Sequence, residues 1–216
     1  MQATTQSAGR GRRGRSWTSA PGNLFCTYLT WPDVPLARAS AYGFIAANAV
    51  AETIETYLPG EDIKIKWPND VQVGGAKISG ILLESGQIEG RLWLAVGIGI
   101  NLISAPSDVA YPVTNIGAHI KSDDPEDIPN PMGALAVLAD NFEKAELGFK
   151  SAGFGPVREQ WLARAAGLGK TVSATAPEGK IIGTLKGLTM DGELQVQLPD
   201  GRDTLISSGE VFLGSP

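Results

Sequence analysis

The run Gly9-Arg10-Gly11-Arg12-Arg13-Gly14-Arg15 alternates the residue type with the widest backbone freedom and the one with the most persistent positive charge. Glycine reaches conformations closed to other residues and lets a ligand come close to the backbone. Guanidinium groups stay charged and fit phosphate or carboxylate oxygens in pairs. The segment is therefore a flexible loop that needs an anionic ligand to become ordered. Taken alone, it fits a disordered RNA-binding segment or a basic targeting tail equally well. Its setting argues otherwise, because Ser16-Trp17 and the strand-like residues 24–31 follow at once, inside a folded unit. The formal net charge of −5 offers no general surface for nucleic acid. One compact polyanion such as a nucleotide is the better match.

The 216 residues hold one main domain and a small second one. With 43% apolar residues a genuine core is available, and no apolar run approaches the roughly 20 residues that span a bilayer. Residues 1–5 lack the apolar stretch of a signal peptide. Cys26 and His119 are each the single residue of their kind, which leaves no disulfide framework, thiolate metal site or histidine cluster. The expected compartment is the cytoplasm, with no membrane partner.

Residues 24–31 read as a mostly buried strand ended by Pro32, and residues 36–58 as a long alanine-rich helix stopped by Pro59-Gly60. Short strands follow at 63–67, 71–73, 76–84 and 91–102, with turns at Gly74-Gly75 and Gly90, which implies an antiparallel or mixed sheet. Residues 104–131 form a long polar connection, a length that is usually functional. Helices are expected from about Gly133 to Phe149 and over 156–166. After Gly167-Leu168-Gly169 the pattern becomes strands at 171–175, 180–188, 193–198, 203–206 and 211–213. Turns at Pro177-Glu178-Gly179, Asp191-Gly192 and Asp200-Gly201 separate them, as in a small SH3-like barrel, a packing or docking module more often than a catalytic one. The fold class is α+β.

Lys66-Trp67-Pro68-Asn69-Asp70 places Asn69 and Asp70 at a sheet edge, and Lys77 returns towards that edge in the next strand of a tight hairpin. An isolated lysine–aspartate pair is usually a surface contact worth little, but Lys77 opens the nearly apolar Ile78-Ser79-Gly80-Ile81-Leu82-Leu83. Gly80, Gly97 and Gly99 interrupt buried strands, and glycine there marks a bulge or the close approach of a ligand. Three such positions on neighbouring strands suggest a flat slot for a small rigid molecule. No helix follows Gly97-Ile98-Gly99, so a dinucleotide fingerprint is excluded.

The ordered set Gln6 to Trp17 around the glycine-arginine run, Lys66-Trp67-Pro68-Asn69-Asp70, Lys77 with Gly80-Ile81-Leu82, and Gly97-Ile98-Gly99-Ile100-Asn101 resembles the biotin protein ligases over nearly the whole chain. The resemblance implies a catalytic domain related to class II aminoacyl-tRNA synthetases over residues 1–167 and an SH3-like domain over 168–216. It implies a two-step reaction in which biotin and ATP give biotinyl-5′-AMP and pyrophosphate. A lysine of a biotin carboxyl carrier protein, of acetyl-CoA carboxylase or a related carboxylase, then takes the biotinyl group. Lys77, Arg12 and Asp70 would be catalytic, Lys77 lying between the biotin carboxylate and the α-phosphate and Asp70 helping to hold Mg²⁺ or orient Lys77. Biotin would meet Gln6, Gly9, Arg10, Gly11, Arg12, Lys77, Gly80, Leu82, Gly97 and Gly99. Arg12, Arg13, Arg15, Trp17, Asn69, Asp70, Lys77 and Asn101 would hold ATP and the adenylate, with residues 104–115 closing over adenine. The resemblance leaves a homodimer open.

One departure bears on activity. The family normally carries an opening strand and helix with a Ser/Thr-Thr-Asn motif ahead of the arginine loop, and this chain starts eight residues before Gly9 without it. No winged helix precedes the loop either, so a DNA-binding repressor role is not expected. A catalytically impaired biotin- or adenylate-binding remnant is therefore the alternative reading.

Overall fold

The computed structural model describes residues 1–35, 38–122, 124, 127–176 and 179–213. The described residues form two antiparallel sheets, three α-helices and one short 3₁₀ turn. The first sheet has six strands: β1 (Gln2–Ala3), β2 (Leu24–Thr30), β3 (Ile63–Lys66), β4 (Asp70–Val73), β5 (Ala76–Ile88) and β6 (Arg91–Ile100). They lie in the order β1-β2-β6-β5-β4-β3. The two-residue edge strand β1, too short to carry an alternating pattern, pairs Gln2 with Cys26 and Ala3 with Phe25. Every pairing in the sheet is antiparallel.

Along β6 the side chains alternate: Leu94, Val96, Ile98 and Ile100 are buried, and Gly97 and Gly99 lie on the opposite face. Helix α1 (Ala41–Tyr57) packs on the sheet and is itself covered by α2 (Pro131–Ala152) and α3 (Phe154–Ala163), so it is buried on most sides. That position explains its alanine content, since a helix enclosed by neighbours has little room for larger side chains. The helix starts later than residue 36; Leu36 and Ala37 lie outside the described residues. Helix α2 begins earlier than Gly133, because Asn130 caps it by accepting from Gly133 N at 2.9 Å and Pro131 fits the first turn.

The second sheet is the five-stranded one of the SH3-like barrel, in the order β10-β9-β8-β7-β11. Its strands are β7 (Thr171–Ala176), β8 (Gly179–Leu188), β9 (Leu194–Gln197), β10 (Asp203–Ile206) and β11 (Glu210–Leu213). Of the turn expected before β8, Pro177 and Glu178 lie outside the described residues, as do positions 214–216. The barrel is fastened to the first sheet by Trp67 Nε1 donating to Gly192 O at 3.3 Å. Backbone bonds tie Ile65 to Arg164 and Ala166, at the end of the segment that leads into the barrel.

Candidate active site

The glycine-arginine run is a hairpin on the sheet face opposite the helices. Trp17 N donates to Gly9 O at 2.8 Å, Gly11 N to Arg15 O at 2.7 Å, and a short 3₁₀ turn spans Arg12–Gly14 at the tip. Gly9 has no room for a side chain: an added Cβ would lie 2.4 Å from Trp17 O and 2.9 Å from Gln6 Oε1. Arg10 pairs with Glu84 at 2.9 Å, Arg15 pairs with Glu210 of the barrel, and Arg12 donates to Gly209 O at 3.4 Å. Burial first, and then the charge of Arg13, push Arg12 below the ordinary value for a guanidinium, as expected where cations are crowded.

Beneath the hairpin lies a cleft of about 330 Å³. Of the residues expected at a site, Gln6, Arg10, Gly11, Arg12, Arg15, Trp17, Asn69, Asp70, Lys77, Gly80, Leu82, Gly97 and Gly99 line it. Lys77 Nζ stands 2.6 Å from Asp70 Oδ1, with both side chains mostly enclosed (15% and 20% exposed). The ammonium also lies 5.4 Å from the Trp17 ring centroid and 5.7 Å from that of Tyr111. The Lys77 backbone holds the long connection in place, because its N donates to Pro112 O and its O accepts from Thr114 N, both at 2.9 Å.

The three glycines are not equivalent. Gly80 and Gly99 face each other across β5 and β6, and the Trp17 indole lies over both. A Cβ on Gly80 would come 2.7 Å from the indole and one on Gly99 2.6 Å. Only Gly97 is open, its nearest neighbours being Leu82 O at 3.5 Å and Leu82 Cβ at 3.8 Å. Glycine on these two strands therefore admits an aromatic ring of the chain itself at Gly80 and Gly99 and leaves the slot free at Gly97.

Gly9, Arg13 and Asn101 are not brought to the cleft wall. Gly9 is taken up by the hairpin closure, and Arg13 is exposed at its tip with φ 56°. Asn101 is 3% exposed and its carboxamide donates to Thr114 O at 3.0 Å, anchoring the connection from below. Sequence reading missed four contributors: Glu84, Tyr111, Glu210 and Asn23. The Asn23 Oδ1 accepts from the backbone N of Leu102 (2.9 Å), Ile103 (3.0 Å) and Ser104 (3.3 Å), fixing the start of the long connection. An asparagine just ahead of a strand carries no signal for a partner some 80 residues away.

Among the described residues no group of three or more His, Cys, Asp or Glu could hold a metal ion. The residues fit a magnesium ion only as Mg²⁺ is usually bound, through one or two carboxylates and the oxygens of a substrate phosphate. Asp70 is the carboxylate in place for that.

Comparison with known proteins finds relatives over nearly the whole chain. Residues 2–101 match the Biotin/lipoate A/B protein ligase family and residues 167–214 the Biotin protein ligase C terminal domain. The chain is 38% identical, over 98% of its length and 89% of the relative's, to the biotin–[acetyl-CoA-carboxylase] ligase of Paracoccus denitrificans. It is 32% identical to the bifunctional ligase/repressor BirA of Bacillus subtilis, of which it spans 65%. The biotin protein ligase of Aquifex aeolicus, solved in complex with biotin and ATP, superposes with a TM-score of 0.83 at 27% identity, covering 100% of this chain and 88% of that one. The Leishmania major enzyme in complex with biotinyl-5-AMP gives 0.56 at 25% identity, covering 96% and 87%. Matched by these two family models and by a relative 38% identical over nearly its whole length, this chain belongs to the biotin protein ligase family.

Proposed function

We propose that this chain is an ATP-dependent ligase that activates biotin as biotinyl-5′-AMP and passes it to a lysine of a biotin carboxyl carrier protein. The observation that carries this reading is the enclosed Lys77–Asp70 pair at the mouth of the glycine slot, beneath the arginine hairpin. Joining a carboxylate to a triphosphate brings two anions together, and their repulsion falls only if fixed positive charge already waits at the point of contact. Lys77 supplies that charge between the biotin carboxylate and the α-phosphate. Asp70 holds the ammonium in place without neutralising the wider cleft, since Arg12 has no carboxylate partner among the described residues.

In the first step a biotin carboxylate oxygen attacks the α-phosphorus, and the bond to the β-phosphate oxygen breaks, its electron pair leaving with pyrophosphate. In the second, the carrier's lysine amine attacks the acyl carbon and AMP leaves. Biotin lies along Gly97 and Leu82 with its ureido ring towards Gln6 and Arg10, and the arginines hold phosphate. The connection over residues 104–115 covers the adenine, and the closed cleft keeps water from the anhydride. Mg²⁺, when bound, neutralises phosphate charge, and Asp70 is the residue that would hold it. We divide the chain at 167/168 into catalytic and SH3-like domains and assign the carrier to acetyl-CoA carboxylase or a related carboxylase. We assign its work to the cytoplasm, where ATP and such a carboxylase subunit would meet it.

The test is biotin-dependent ATP–pyrophosphate exchange together with transfer to a purified carrier domain. Lys77→Ala should lower exchange about 10²–10³-fold, the usual cost of losing one preorganised electrostatic group. Its backbone bonds to Pro112 and Thr114 do not depend on the side chain, so the fold should survive. Exchange within a few-fold of the parent would refute the assignment.

A further inference from the structure

Beyond Lys77 the cleft opens into a second chamber of about 290 Å³. Its walls carry four cations, Arg12, Arg15, Lys66 and Lys77, and two carboxylates, Asp70 and Glu210. Both carboxylates are already engaged, Asp70 with Lys77 and Glu210 with Arg15. Lys66 is in no ion pair among the described residues. It ends β3 opposite Asp70 in the ladder, and its Nζ rests 5.5 Å from the centroid of the Phe212 ring on β11. Burial pushes its pKa below the ordinary lysine value, and Lys77 and Arg15 push the same way, while Asp70 and Glu210 pull it up. An enclosed ammonium with no carboxylate of its own is unfavourable in the free protein unless an anion comes to it.

We propose that Lys66 is a catalytic residue of the adenylation step that binds the leaving pyrophosphate, as distinct from Lys77, which meets the α-phosphate. The proposal rests on the ligase reading above. When the bond between the α-phosphorus and its bridging oxygen breaks, the electron pair and its negative charge go to the β-phosphate. The chamber past Lys77 is where that charge emerges, and Lys66, like Arg12 at the hairpin side, is a cation there that gives up no carboxylate to receive it; Lys66 is the one of the two that stands against the barrel wall, over Phe212. No proton changes hands, since the ammonium acts as a fixed charge. The chamber's far wall is Glu210 and Phe212, so the barrel takes part in closing the nucleotide site.

Lys66→Ala and Lys66→Arg in the full chain separate the possibilities. For Lys66→Ala, kcat/KM for ATP in biotin-dependent pyrophosphate exchange should fall about 100-fold, with KM for pyrophosphate raised. Transfer from synthetic biotinyl-5′-AMP to the carrier, which involves no pyrophosphate, should stay within about twofold of the parent. Lys66→Arg should recover most of the exchange, because a charge rather than a shape is required. Exchange by Lys66→Ala within about threefold of the parent overturns the proposal. So does a parallel loss in both half-reactions, which would mean that Lys66 only braces the barrel. A parent with no biotin-dependent exchange overturns the ligase reading itself and this proposal with it.

Discussion

Replacing Gly97 and Gly99 separately by alanine should split stability from binding, although the two glycines are only two residues apart on one face of β6. At Gly99 the new methyl would lie 2.6–2.7 Å from three atoms of the Trp17 indole. Carbon atoms rest at about 3.5–4.0 Å, so the ring must retreat by roughly 1 Å or leave its seat over Gly80 and Gly99. Overpacking of this kind costs about 1–3 kcal/mol, which for a chain of this size lowers Tm by roughly 2–12 °C. At Gly97 the methyl would meet Leu82 O at 3.5 Å and Leu82 Cβ at 3.8 Å, ordinary contacts. Alanine also loses less backbone freedom on folding, worth about 0.5–1 kcal/mol inside a strand, so Tm should hold or rise. The same methyl projects into the slot, where rejecting biotin by about 1–3 kcal/mol of overlap raises its Kd roughly 5–150-fold. Thermal unfolding and biotin titration calorimetry on the two variants decide the matter. Equal destabilisation by both, or a Gly97→Ala variant that binds biotin as the parent does, would show that Gly97 is not the open floor of the slot.

Asn23→Ala should strand the three backbone N–H groups that its buried Oδ1 now receives. The loss is about 2–4 kcal/mol and should lower Tm by at least roughly 4 °C; an unchanged Tm would mean that water replaces the side chain at no cost. Cys26 lines the cleft, and burial pushes its thiol up from 9.0 to about 11. The thiol therefore stays protonated at pH 8, with roughly 100-fold less thiolate than an unhindered cysteine. Iodoacetamide should modify it correspondingly slowly, with the rate rising towards pH 11, and alkylation at the rate of a free thiol would refute the burial argument.

Those contrasts were only half written in the sequence. Strand identity was legible because alternation and glycine turns are local: β2, β6 and the barrel strands fell close to their expected residues, while β5 runs on from Glu84 to Ile88, where its polar residues hid the strand, and the pairing pattern followed from short connections. Helix starts were less so. Asn130-Pro131 is a cap-and-first-turn pair that marks the true start of α2, but the apolar stripe from Leu135 onward drew attention two residues too far. Gly80, Gly97 and Gly99 announced a close approach, while what approaches depends on where the Trp17 ring comes to rest, and that is settled by the hairpin closure between Gly9 and Trp17. Asn101 sits beside those glycines in sequence but belongs to the anchoring of the long connection, because its side chain finds a backbone carbonyl before it can reach the cleft.

The charges follow the same logic at longer range. A reader of the arginine run sees four cations waiting for an anion; the folded chain already supplies some. Glu84 answers Arg10, Glu210 answers Arg15 across 195 residues, and Asp70 answers Lys77. The Arg10–Glu84 pair is open to solvent, 69% and 43% exposed, and a pair of that kind contributes at most about 1 kcal/mol, so a phosphate can take over the guanidinium at little loss. Lys77 and Asp70 are enclosed, and separating them would leave a carboxylate in a confined space, so that pair should stay together through the reaction and act as a unit. Arg12 and Lys66, without carboxylates of their own, have nothing to exchange. On the proposed reading, incoming phosphate costs least where no pair has to break, at Arg12 under the hairpin and at Lys66 against the barrel. That difference among the cations is a property of pairings between segments far apart in the chain, which spacing within any one motif could not reveal.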